Sequence, residues 1–310
     1  MAERVYALRQ SKFDALILEN NQVKVVILPN LGSKIISLIN KKTGREFCCQ
    51  QQGEWKIPVF GDLWENYNLS GFDEMVPSVL PGFYPEEPWV GTPLADHGEV
   101  WALPWEWSQH SENNVTLMVH GIRIPYILHK NLSLENNSLV FHYLIQNPTP
   151  FPMKFIWAYH PLVKVEPGCR IELNRPVDTV TFVYSAGTRQ GSYFTQQKWP
   201  ITSNGDDLSI MGDLLIKRAE KYYFNAKGII ERVKISFPDR ENLAFSFPSA
   251  KVPYVGVWLN QGGWKNEYHL AIEPATGFLD RLDLAALSDS ISIIPPHGSY
   301  EWYLQIEVEY

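Results

Sequence analysis

The sequence predicts an all-β fold, a large antiparallel β-sandwich, on three observations. Short runs rich in Val, Ile, Phe, Tyr and Trp recur across the 310 residues, with turn signals between them. Several of these runs alternate, as SLVFHYLIQ does, so that one face is apolar and the other wet. Helical periodicity is nearly absent, and stretches such as PGFYPEEP and IIPPHG break up any helical alternative.

In chain order the strand-like runs are KVVILP, KIISLI, VTLMVHGI, LSLENNSLVFHYLIQN, MKFIWAY, YFNAKGIIERVKISF, NLAFSF, YVGVWL and YEWYLQIEVEY. ENNS and NAKG read as hairpin turns, and NKKTG as a slightly longer loop. GDDLSIMGDLLIKRAEKY admits a short helical turn, interrupted by Gly212. No polar linker divides the strands, so residues 1–310 are expected to form one domain. The stretch from about Gln50 to Trp107 differs from the rest. It is rich in Gly, Pro, Trp and acidic residues, and its segments WENYNLSGFDEMVPSVLPG and DHGEVWALPWEW suit a cleft floor where aromatic faces stack on a sugar. A packed surface loop held by its aromatics has the same composition.

Composition excludes more than it selects. Hydrophobic residues make up 45% and charged residues 20%, as in an ordinary globular protein. A formal charge of -7 offers no attraction for nucleic acid or an anionic membrane, and neither is expected as a partner. Three cysteines, Cys48, Cys49 and Cys169, form no disulfide framework or zinc knuckle, so a reducing, cytoplasmic setting is expected. The opening MAERVYALRQSKFDALIL carries charge throughout and lacks the apolar core of a signal peptide.

Two residues stand out for chemistry. Glu273 lies between apolar neighbours in YHLAIEPATG, where a bare carboxylate is costly and is therefore paired or functional. Partial burial would raise its pKa and improve it as a base. His160 ends the aromatic run FIWAYHP, and its imidazole can give or take a proton near neutral pH. Each has a structural alternative: a carboxylate serving turn N–H groups, and a core histidine bonded to a carbonyl. His97, in LADHGEVW, precedes a glycine that lets the backbone turn sharply, and Asp96 beside it could orient the ring. His97 and Glu99 with Asp73, Glu74 and His160 have no recognised metal-ligand spacing, so no metal is expected. No phosphate-binding glycine loop and no GxSxG elbow occur.

Taken together, GSKIISLINKKTGREF, SGFDEMVPSV, DHGEVWALPW, WAYHPLVKV, LAIEPATGF and IIPPHGSYEWYLQIEV occur in an order and spacing that resembles the aldose 1-epimerase (galactose mutarotase-like) family. The resemblance implies a supersandwich with a sugar cleft across one sheet, and interconversion of the anomers of an aldose without a cofactor. It implies Glu273 as the general base and His160 as the general acid. His97 would be the second histidine, and Asp73, Glu74 and Trp101 are further binding candidates. The partner would be a small carbohydrate. A non-catalytic carbohydrate-binding module on the same scaffold is the alternative, and a lyase a third. The match departs from the family at two places. AYHPLVKV lacks the tyrosine and asparagine of the TNHxYFNL-type segment, and the loop around Asp73 and Glu74 lacks the arginine cluster that holds a sugar phosphate. An unphosphorylated sugar is therefore expected. Arg123 and Arg281 are the basic candidates for sugar oxygens, each also suited to an ordinary salt bridge.

Overall fold

The computed structural model describes residues 13–51 and 55–310. The first dozen residues of the charged opening lie outside the described residues. Two large sheets face each other, and every strand pair within them is antiparallel. The ten-stranded sheet runs in the order Leu16–Glu19, Val23–Leu28, Lys34–Asn40, Phe72–Met75, Ala158–Pro161, Tyr268–Ala275, Tyr254–Gln261, Arg218–Phe224, Thr179–Ser185, Gln196–Lys198. The eight-stranded sheet holds Arg170–Leu173, Arg232–Ser236, Asn242–Ser246, Ser299–Glu309, Ser138–Gln146, Ile127–Glu135, Asn114–His120 and Glu106–Ser111. The all-β sandwich read from the sequence is the fold observed.

Alternation sets which side chains meet. Leu128, Leu132, Leu139, Phe141, Leu304 and Ile306 point inward from the eight-stranded sheet and are fully buried, while their neighbours face water. Tyr143 stacks on Trp302 at 5.0 Å, and Trp157 crosses from the opposite sheet to 5.1 Å from Trp302. Aromatic burial of this kind makes a heavy apolar contribution. A second, smaller cluster covers the outer face of the ten-stranded sheet, where Trp64, Trp101, Leu69 and Ala102 pack over Leu162 and Ala271.

Local readings fared unevenly. ENNS is the hairpin turn between paired strands. NAKG is not: Arg218–Phe224 belongs to one sheet and Arg232–Ser236 to the other, so this turn crosses the sandwich. A turn's composition sets its backbone angles but not the pairing of the strands it joins. The helical turn in GDDLSIMGDLLIKRAEKY is a 3₁₀ turn over Leu214–Ile216 followed by strand. The α-helix at Leu282–Leu287 was not anticipated, since six residues are too few to show periodicity. The Gln50–Trp107 stretch divides its work: Phe72–Met75 is a strand of the floor, and its 3₁₀ turns Trp64–Asn66 and Val100–Ala102 lie in the roof.

Candidate active site

A row of side chains crosses the outer face of the ten-stranded sheet. Ile35 pairs with Phe72, so Lys34 stands beside Asp73. Asp73 pairs with His160. Ala158 with Ala275 and Val163 with Leu270 share one register, which sets His160 level with Glu273. Glu273 pairs with Gly256, and Gly256 with Tyr223. Residues far apart in sequence thus form a line Lys34, Asp73, His160, Glu273, Gly256, Tyr223.

The line is bound together by polar contacts. Lys34 Nζ lies 2.8 Å from Asp73 Oδ2, which also accepts 3.0 Å from Trp64 Nε1. Lys34 donates as well to the carbonyls of Asn68 and Ser70. Lys221 shares the face of Tyr223 and contacts Glu273 Oε2 directly, with Asp280 Oδ1 3.7 Å away. Tyr223 donates its hydroxyl to the same Asp280 oxygen. Glu273 Oε1 is 3.8 Å from His160 Nε2, too far for a hydrogen bond.

Three atoms of this row are buried without a hydrogen-bond partner: Asp73 Oδ1, His160 Nδ1 and Glu273 Oε1. A buried polar group left unmade costs on the order of 1–3 kcal/mol. Three in one line, under an aromatic roof, form a surface whose hydrogen-bonding capacity is unfilled.

The roof positions the second histidine. Gly98 has φ of +72° and packs against the Val76 backbone so closely that a Cβ would lie 2.2 Å from the Val76 carbonyl oxygen. Backbone bonds from His97 to Val79 and from Glu99 to Val76 lock the turn. His97 itself is left-handed at φ 56°, and this turns its ring back onto Asp96, Nδ1 to Oδ1 at 3.1 Å. Adjacent side chains that would diverge on a strand converge here for that reason. His97 stacks on Trp64 at 4.5 Å and meets the His160 ring edge-on at 5.3 Å. Trp101 lies in the roof cluster with its indole N–H bonded to the Asp96 carbonyl.

Electrostatics divide the roles. Burial drives the His160 imidazole well below its ordinary value, helped by His97 and Lys221, which favours its neutral form. Burial pushes the Glu273 carboxyl up, partly opposed by Lys221 and reinforced by Asp280. Burial pulls the Lys221 ammonium down, but Asp280 and Glu273 outweigh it and leave the amine above its usual range. Burial likewise raises Asp96, yet its hydrogen bond and charge interaction with His97 prevail and lower it.

Of the residues singled out from the sequence, Glu273, His160, Asp73, His97 and Trp101 are brought together. Glu74 is not. Its side chain points into the sandwich, where Oε1 lies 2.6 Å from Lys130 Nζ and Tyr143 and Trp157 also donate to the carboxylate. Arg123 donates to the Pro93 carbonyl and lies over Phe60, and Arg281 forms a fork with Asp283. No described contact joins either arginine to the row. Sequence reading missed Lys34, Lys221, Asp280 and Trp64. For Lys221 the available signal was a lysine directly before the aromatic run YYF. Among the described residues, no group of three or more His, Cys, Asp or Glu is arranged to hold a metal ion.

The family model "Domain of unknown function (DUF5107)" matches residues 5–53. No curated protein sequence matches the chain. Among solved structures, the Slr1438 protein from Synechocystis sp. PCC 6803 superposes with a TM-score of 0.73 at 17% identity, covering 100% of this chain and 99% of that one. A galactose mutarotase-like protein from Lactobacillus casei ATCC 334 gives 0.70 at 17%, covering 95% and 100%. A galactose mutarotase related enzyme from Lactobacillus acidophilus gives 0.70 at 15%, covering 96% and 97%. The chain therefore has the fold of galactose mutarotase-like proteins.

Proposed function

We propose that the chain belongs functionally with the aldose 1-epimerases and interconverts the anomers of an unphosphorylated sugar by general acid–base catalysis. The observation that carries this reading is Glu273 Oε1, buried without a hydrogen-bond partner and 3.8 Å from His160 Nε2 on the adjacent strand, under the Trp64–His97 roof. Glu273 removes the proton of the anomeric hydroxyl as a C1–O5 bond breaks, and His160 delivers a proton to the ring oxygen. The open aldehyde rotates about C1–C2 and closes on its other face with the proton movements reversed. Burial favours neutral His160, so the reactive form has taken up one proton, shared between His160 and Glu273. In this reading His97, oriented by Asp96, and Asp73 bind sugar hydroxyls.

The absence of a phosphate on the substrate follows from charge. Lys34 is already paired with Asp73, and Lys221 with Glu273 and Asp280, which leaves neither cation free for a dianion. An NMR anomer-exchange screen over neutral, deoxy, amino and acidic aldoses, with a sugar phosphate as control, tests the reading. Faster exchange for at least one unphosphorylated sugar is expected. Saturable binding with no acceleration for any sugar would support a carbohydrate-binding module instead.

A further inference from the structure

We infer that Lys221 is a positioning residue shared between two carboxylates, holding Glu273 ready as a base and turning to Asp280 once Glu273 is neutral. The inference rests on the anomerase reading and adds to it a device that lets a buried base change its charge.

The geometry is specific. Lys221 touches only the far oxygen of Glu273, Oε2, and leaves Oε1 open toward His160. Its second anion, Asp280, sits at 3.7 Å and is oriented by the Tyr223 hydroxyl. Gly256, between the two strands, makes this reach feasible. A Cβ there would lie 3.2 Å from the Tyr223 ring and 3.5 Å from Lys221 Cε. Other groups facing Glu273 are His160 from the neighbouring strand and His97 from the roof; His269 lies on its own strand, and Asp73 with Lys34 lies further along the row.

The physical need arises from burial. An unpaired charge in a dry site is costly, so an ammonium paired with one carboxylate would resist that carboxylate's protonation. With Asp280 in reach, proton abstraction leaves a Lys221–Asp280 pair and no stranded ammonium. The proton count balances. Glu273 gains the hydroxyl proton and the ring oxygen gains one from His160. The hydroxyl's bonding pair becomes the carbonyl π bond as C1–O5 breaks, and Lys221 keeps its protons throughout.

Two variants are expected to move the same titration in opposite directions. Carbon-13 NMR of the Glu273 carboxyl in the free protein reads it without any substrate, and the acid limb of kcat/KM reads it during turnover. Lys221→Met should shift both to higher pH by about one unit or more, because the carboxylate loses its cation. Asp280→Asn should shift them lower and cut kcat roughly tenfold, because the ammonium then has no second partner. Lys221→Gln, with circular dichroism to confirm folding, replaces the methionine variant should that one fail to fold. Shifts in the same direction, or a Glu273 titration unchanged by loss of Lys221, would overturn the inference. A wild-type protein inactive on every sugar would overturn the anomerase reading alone, since the carboxyl titration still decides the role of Lys221.

Discussion

Asp73 and Glu74 are neighbours in one strand, yet they serve opposite faces of its sheet: Asp73 pairs with Lys34 on the outer row, and Glu74 with Lys130 inside the sandwich. The two-residue period of a strand separates them, and it distinguishes a candidate binding group from a core ion pair.

Glu74 should therefore govern stability. Lys130→Met leaves a buried carboxylate without its cation and should cost about 3–5 kcal/mol. Adding Glu74→Gln removes that charge, and its amide can still accept from the Trp157 indole and donate to the Tyr143 hydroxyl, so it should restore much of the loss. Urea unfolding of the single and double variants measures this. A Lys130 variant of normal stability but weakened sugar binding would contradict the placement.

Glu273→Gln keeps the side-chain shape and removes the base. Anomer exchange should fall by about 10²–10⁴-fold, with sugar affinity changed far less. Exchange spectroscopy and a binding titration on the same sugar separate the two quantities, and near-normal exchange would remove Glu273 from its role.

Gly256 should not tolerate a side chain. Gly256→Val forces atoms against the Tyr223 ring and the Lys221 stem. The expected cost is about 1–3 kcal/mol, typical of overpacking, together with a loss of activity exceeding that of a surface control. Unfolding and exchange measurements on one preparation check both. Full activity would mean that Lys221 needs no such clearance.

Acid should weaken the fold through buried histidines. Burial lowers the His269 imidazole to about 3, and its Nε2 accepts from the Trp258 indole. The native state thus holds it neutral, whereas the unfolded chain protonates it below about 6.5. Its stabilisation is complete above that value and declines as pH falls toward 3, by up to about 1.4 kcal/mol per pH unit. His160 is lowered in the same direction, so His269→Gln should reduce the slope of stability between pH 6.5 and 5 without abolishing it. Urea midpoints across that range give the answer, and an unchanged slope would show that His269 is already protonated in the fold.

The strand pattern was legible because alternation is local: SLVFHYLIQ carries its inward and outward faces within nine residues. Glu273 and His160 were legible for a related reason, each being a titratable group in an apolar or aromatic run. Lys221 precedes the aromatic run YYF, but its segment GDDLSIMGDLLIKRAEKY admits a short helical turn, and its neighbours Arg218 and Glu220 gave no apolar setting to mark it, although all of them are buried in a strand. Glu74 was grouped with Asp73 because both lie in one acidic motif, and only alternation on the strand parts them.

What the chain's own order of residues determined is the material of the site: strands of the right period, and an imidazole and a carboxyl embedded in them. Tertiary structure decided which of these residues meet. Lys34, Asp73, His160, Glu273 and Tyr223 form one line only because antiparallel register brings distant strands level, and register is set by how both faces of the sheet pack. A local pattern specifies a side chain's face, while its neighbours across the sheet depend on contacts made when the whole chain has folded.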